Sequence, residues 1–286
     1  MSLLFCVGGI TWFAWNLLDR HQQIQQIQQS KQANSLLAQK KYSLAIEAYD
    51  RLIAENLAED NSIWISRGYA FLGLNQHRDM LQSCSTAVSL EPRSALAWNC
   101  QGEALYYLQQ PEAALEALEK ATSLEPGKAT FWLNKARISS DLEQNRQAIA
   151  ASEAAIRSSQ PSEKNYKAIA LNLKGQNLLK LRQDKQALVA FEQSLSYSPK
   201  YLFAQQGKGI ALYELGNYQQ AVVAFEQTLN HKNLTKQIQS ASLLYLGVSL
   251  CQLQKVDLAE QAFASVLALA KDEESRGIAR KGCGIQ

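Results

Sequence analysis

The chain has 286 residues, 29 basic and 26 acidic side chains, a net charge of +3 and 47% hydrophobic residues. The basic side chains are interspersed, with no run denser than Lys40-Lys41 or Arg280-Lys281, so no face suited to a phosphate backbone is encoded and nucleic acid is not an expected partner. Few prolines interrupt long helical windows and no alternating β-branched segment is bounded by turns, so the class expected is all-α.

Met1–Leu18, MSLLFCVGGITWFAWNLL, carries no charged side chain. As a helix it would reach roughly 27 Å, near the short limit for crossing a bilayer, and Trp12 and Trp15 suit the aromatic belt of an interface. The reading is an N-terminal apolar helix serving as an uncleaved transmembrane anchor over residues 1–18. A cleaved secretory signal would want a basic start and a small-x-small site, and both are missing before Asp19-Arg20. Lipoprotein processing at Cys6 is opposed by Phe5, and a buried or interfacial cap helix is a further alternative. Arg20, Lys31, Lys40 and Lys41 follow the span and no basic residue precedes it. The expected location is therefore the membrane, single-pass, with the remainder on the cytoplasmic side. Asp19–Gln32 is rich in Gln, a good helix former, and no Gly or Pro interrupts it. It reads as a helical stalk over 19–32 that continues unbroken into the rest of the chain.

From Gln26 onward one register recurs at an interval of thirty-four residues. Gln26–Glu59 has Ala33, Leu36, Ala45 and Tyr49 at positions eight, eleven, twenty and twenty-four. Asn61–Ser94 has Trp64 at four, then Gly68, Phe71, Met80 and Ala87, with Pro92 at thirty-two. Ala95–Lys128 is the fullest copy, with Trp98, Gly102, Leu105, Ala114, Leu118, Ala121 and Pro126, and with Pro111 where a second helix should begin. Ala129–Ser162 has Trp132, Ala136, Ala148 and Ala155, but Ser152 at twenty-four and Pro161 one place late. After the insertion 163–167, Ala168–Tyr201 restores Gly175, Leu178, Ala187, Phe191 and Pro199. Leu202–Thr235 has Gly209, Leu212, Ala221 and Phe225; after a short spacer Ser240–Glu273 has Gly247, Leu250, Ala259 and Phe263. Position twenty is Ala in six of the seven copies and position eight is Gly in five.

This pattern resembles the tetratricopeptide repeat, or TPR. The resemblance implies an α-solenoid of about seven helix-turn-helix hairpins in a right-handed superhelix, in which small residues at eight and twenty let the two helices of a hairpin approach closely. Copies one to four span 26–162 and copies five to seven span 168–273, with 163–167 a candidate bend; 274–286 would supply a capping helix and tail, because a solenoid otherwise ends on an apolar face.

The resemblance also implies a groove lined by first-helix positions two, five, nine, twelve and thirteen. Carried onto this chain these include Tyr69, Leu72, Leu96, Asn99, Glu103, Tyr106 and Tyr107, then Leu133, Arg137, Asp141, Asn172, Gln176, Leu179 and Lys180, and then Phe203, Gln206, Ile210 and Tyr213. The Lys and Asn constellation with which some family members clamp a terminal carboxylate is missing, and the lining is aromatic and amide-rich, suited to an apolar helix or an extended segment. The alternative is that the Tyr and Leu members pack against the neighbouring hairpin.

No site chemistry stands out. His21, His77 and His231 lack partners at catalytic or metal spacing, and no phosphate loop or nucleophile elbow occurs. Cys6, Cys84, Cys100, Cys251 and Cys283 are odd in number and show no ligand spacing; they read as apolar fillers in a reducing compartment, with Cys283 an exposed free thiol. The expectation is a non-catalytic, membrane-anchored scaffold with no cofactor or metal. It would bind a protein client's peptide or helix and assist assembly or maturation of a membrane complex. A self-associating homo-oligomer and an exported, periplasmic adaptor with a cleaved signal are the alternatives.

Overall fold

The computed structural model describes residues 24–25, 27–55, 60–232 and 234–284, and all regular structure among them is helical. The segment 1–18, expected to be an apolar anchor helix, lies outside these residues. No helix among the described residues is long and apolar enough to cross a membrane.

Helix α1 takes in 27–38 and α2 Tyr42–Ala54. Then follow α3 (Asn61–Gly73), α4 (His77–Leu90), α5 (Ala95–Tyr107), α6 (Pro111–Leu124), α7 (Ala129–Asp141), α8 (Asn145–Ser158), α9 (Lys164–Lys180) and α10 (Asp184–Tyr197). The last are α11 (Leu202–Glu214), α12 (Tyr218–Leu229), α13 (Lys236–Gln252), α14 (Val256–Leu269) and α15 (Glu273–Lys281), with a 3₁₀ turn at Gly282–Gly284. Paired in order, α1 to α14 make the seven hairpins of an all-helical repeat solenoid, and α15 follows them.

The turn inside each hairpin is built the same way seven times. Position seventeen opens the second helix in every copy: Tyr42, His77, Pro111, Asn145, Asp184, Tyr218 and Val256. Two residues earlier, at position fifteen, the backbone is left-handed at Lys40, Asn75, Gln109, Glu143, Arg182, Gly216 and Gln254. The next N–H then reaches back to the first helix, Gln76 to the Phe71 carbonyl, Gln110 to Leu105 and Gln183 to Leu178, and it does so in all seven copies. This is the bond that satisfies the orphan carbonyls of a helix end and turns the chain sharply. First helices are capped differently: Asp60, Ser94 and Thr235 each accept a hydrogen bond from a backbone N–H two or three residues on.

Hairpin packing follows from size at positions eight and twenty-four. A methyl group on Gly102 would stand 3.0 Å from Leu118 Cγ and 3.1 Å from the Ala114 carbonyl oxygen, so glycine lets the α6 backbone come into contact. In the later copies the ring at twenty-four lies directly over the glycine at eight: Phe191 on Gly175, Phe225 on Gly209, Phe263 on Gly247. The fourth copy reverses this with Ala136 and a buried Ser152 whose hydroxyl donates to the Ala148 carbonyl at 2.8 Å. Position twenty-four also meets position six of the next copy. Phe191 abuts Gly207, and the rings of Phe225 and Tyr245 stack at 5.7 Å. Tyr49 is hydrogen-bonded to Ser66 there, while its burial holds its hydroxyl above the usual tyrosine pKa.

At that same register place Cys84 and Cys100 form a disulfide, with Cα atoms 5.5 Å apart and both side chains fully buried. Cys251 and Cys283 form a second, with Cα atoms 5.2 Å apart. The expectation of reduced apolar fillers with a free thiol at Cys283 is therefore corrected. Folding brings together cysteines that lie 16 and 32 residues apart, and sequence spacing alone does not show that they face one another.

The inserted residues are absorbed as helix. α9 and α13 each run 17 residues where the other first helices, α3, α5, α7 and α11, run 13; each begins four residues ahead of its repeat register. The chain forms two compact units, Met1–Glu125 and Pro126–Gln286, and 163–167 lies inside the second.

Candidate protein-binding face

In the first unit the predicted groove residues come from α3 and α5, which touch one another. Tyr69 donates to Glu103 Oε2 at 3.0 Å, and the Asn99 side-chain amide donates to the Tyr69 hydroxyl at 3.1 Å and to Glu103 Oε2 at 3.2 Å. One carboxylate thus collects a tyrosine from one repeat and an asparagine from the next. Burial, then the nearby Glu103 charge, hold the Tyr69 hydroxyl far above the ordinary tyrosine range, so it stays a donor at any physiological pH. Asn99 is buried, and Tyr69 and Leu72 also pack on the core around Phe71, Met80 and Cys100. Outside this cluster Leu96 stands 48% exposed and Tyr107 36%. The Tyr107 ring stacks on His77 at 4.9 Å and meets Tyr106 edge-on at 5.7 Å, so the aromatic pair the sequence placed in the groove sits beside the turn that opens α4.

In the second unit the first helices α7, α9, α11 and α13 lie side by side in order. Asn172 is only 4% exposed, and its side-chain oxygen is buried without a hydrogen-bond partner. Lys180 reaches back to donate to the Ser140 carbonyl at 3.2 Å, and Gln206 reaches forward to Ser242 Oγ at 3.2 Å. Arg137 approaches Asn134 at 3.5 Å; Gln176 is half-buried. Tyr213 forms an edge contact with Tyr245 at 5.5 Å and a tilted one with Tyr218 at 5.6 Å. Burial, followed by the Tyr218 and Glu214 charges, raises its pKa. Leu133 is buried and belongs to the core, and Leu179, Ile210 and Tyr213 are half-buried against the cores of their own hairpins. Phe203 is 47% exposed and Ile169, at the same register position one copy earlier, 37%.

Polar members of the predicted face are therefore largely engaged with one another across repeat boundaries, and the most exposed apolar side chains of this face stand at position two. Tyr245, which shapes this face, was missed because position six lies outside the family's groove series. Another recurrent contact unites two marks of the repeat: Trp98 Nε1 donates to the Pro92 carbonyl at 2.9 Å, and Trp132 Nε1 to that of Pro126 at 2.8 Å. The indole at position four thus ties each of these first helices to the proline that ends the preceding repeat. Among the described residues no group of His, Cys, Asp and Glu is arranged to hold a metal.

Sequence models of the tetratricopeptide repeat match residues 30–79, 95–128, 129–161 and 207–274. No curated protein matches the sequence. Among solved structures, the chain is similar to one in the APC/C hetero-tetramer Cut9-Hcn1, with a TM-score of 0.68 and 16% identity over 87% of this chain and 47% of that one. It thus spans about half the length of that relative. Similarity to PilW, described as a widely conserved type IV pilus biogenesis factor, has a TM-score of 0.65 and 20% identity, covering 76% and 97%. For YrrB, a TPR protein with an unusual peptide-binding site, the values are 0.56 and 18%, covering 70% and 99%. The fifth copy falls outside the sequence matches yet forms the same hairpin with the same turn and the same ring over glycine, and the chain as a whole belongs to the tetratricopeptide repeat family.

Proposed function

We propose that the protein is a non-catalytic scaffold, tethered to a membrane through Met1–Leu18, that holds an apolar helix or extended segment of a client protein on the first-helix face of its repeats. The TPR fold carries the general role of protein–protein interaction. The observation that carries the finer reading is the pair of large apolar side chains left in water at position two of successive copies in the second unit, Ile169 and Phe203; Leu96 holds the same register position in the first unit. Scattered exposed apolar residues are ordinary on a folded surface, but Ile169 and Phe203 stand at one register position of α9 and α11, first helices that touch within the second unit. Beside them the half-buried Gln176 could offer an amide to a peptide backbone. Assistance in assembling a membrane complex follows from the tether and is part of this proposal.

A photo-crosslinking side chain at position 203 of the full-length chain tests it. The expected result is an adduct with a second protein, lost when Ile169→Asp is introduced while the helical melting transition stays in place. Adducts only with further copies of this chain, or adducts undiminished by that substitution, would overturn the client reading.

A further inference from the structure

The four cysteines among the described residues all lie in two bridges, and the bridges differ in their surroundings. Cys84 and Cys100 fill a sealed place between the second and third repeats, where the fifth and sixth put Phe191 against Gly207. Cys251 and Cys283 are half-buried. Cys251, near the end of α13, occupies position twelve of the seventh repeat, a position of the predicted binding face, and Cys283 lies in the Gly282–Gly284 turn beyond α15.

The attachment of α15 is otherwise slight. It has nine residues with Ala279 its single buried side chain, a length at which an isolated helix is marginal in water. Its other ties are the Arg276 guanidinium, which donates to the Leu267 carbonyl at 2.9 Å and the Ala270 carbonyl at 3.3 Å. Asp272 caps its start by accepting from the Ser275 N–H at 2.7 Å. Beneath it lie Phe263, Val266 and Leu250, the apolar end of the last repeat. Loss of the cap would bare that surface.

We propose that the repeats mature in a thiol-oxidising compartment, where the Cys251–Cys283 bridge staples α15 and its tail over the last hairpin and fixes the C-terminal end of the binding face. In each bridge two S–H bonds break and one S–S bond forms; two electrons and two protons pass to a disulfide-carrying oxidant, which is reduced to its dithiol. A partly exposed bridge of this kind does not persist in a compartment kept reducing by thiols. The repeats thus lie across the membrane from the side that the basic residues after Leu18 favour. The oxidising compartment and the staple rest on the cysteines and the cap and not on the client reading; the side of the membrane rests on the proposed tether.

The full chain, taken from its native cells into acid, is alkylated before and after reduction and mapped by mass spectrometry. The expected result is no alkylation at Cys84, Cys100, Cys251 or Cys283 before reduction and alkylation of all four after it. Alkylation of these residues without reduction would overturn the compartment assignment. The staple has its own readout in limited trypsin digestion of the oxidised protein. Cys283→Ser, in the tail where folding of the repeats is not at stake, is expected to be cut within α15 severalfold faster than the parent, and reduction should bring the parent to the same rate without changing the variant. Equal rates for the two oxidised proteins would overturn the staple.

Discussion

Gly102 and the tyrosines four and five residues beyond it lie in the same helix and do different jobs. The glycine faces Leu118 and the Ala114 carbonyl at van der Waals limits, so Gly102→Leu should separate α5 from α6 and destabilise the chain by about 1–3 kcal/mol, as overpacking does. Tyr107 is exposed and stacks on His77, and the half-buried Tyr106 meets it edge-on. Replacing both by Ala should leave the melting temperature nearly unchanged and weaken client capture by about 1–2 kcal/mol per side chain if they anchor the client. Circular dichroism melting read beside crosslinking yield separates the two; a double Tyr variant that melts as early as Gly102→Leu places the tyrosines in the core. The sequence marks both roles by size and spacing. It does not show that Asn99 and Tyr69 are already bound to Glu103, because that cluster joins side chains 30 and 34 residues apart.

At the level of the hairpin, the turn depends on one left-handed residue, and Gly216 is the one copy in which that residue is glycine, at φ +75°. An L side chain there is strained, so Gly216→Ala should lower stability by about 1 kcal/mol, readable as a drop in urea midpoint with unchanged slope. The reverse change, Gln109→Gly, relieves the same strain and should be neutral or slightly stabilising; a loss as large as that of Gly216→Ala would refute this account of the turn. Helix starts were legible because Pro111 and the recurring small residues set a register the other copies obey. The left-handed place was not, since Lys, Gln, Glu and Arg occupy it in most other copies and none of them announces a turn; among the other copies only Asn75 is a residue that favours one. Nor were the bridges: Cys84 and Cys100 face each other only because position twenty-four of one repeat abuts position six of the next. That relation belongs to the stack and not to the repeat.

For the molecule as a whole, the proposed tether makes its own prediction. The full-length chain should sediment with membranes and resist extraction by high salt and carbonate, whereas a chain beginning at Asp19 should stay in the supernatant; full-length protein that washes off in salt would show that Met1–Leu18 does not span. The repeat architecture also sets how this chain is made. Hydrogen bonds that join one repeat to the next bridge short stretches of chain, such as the forty residues between Lys180 and Ser140, so these contacts are local on the scale of the chain. Each hairpin can close as soon as its successor has left the ribosome or a translocation channel, and the N-terminal repeats need not wait for the C-terminus. Folding of such a chain is vectorial, its last act being the oxidation that fastens the tail.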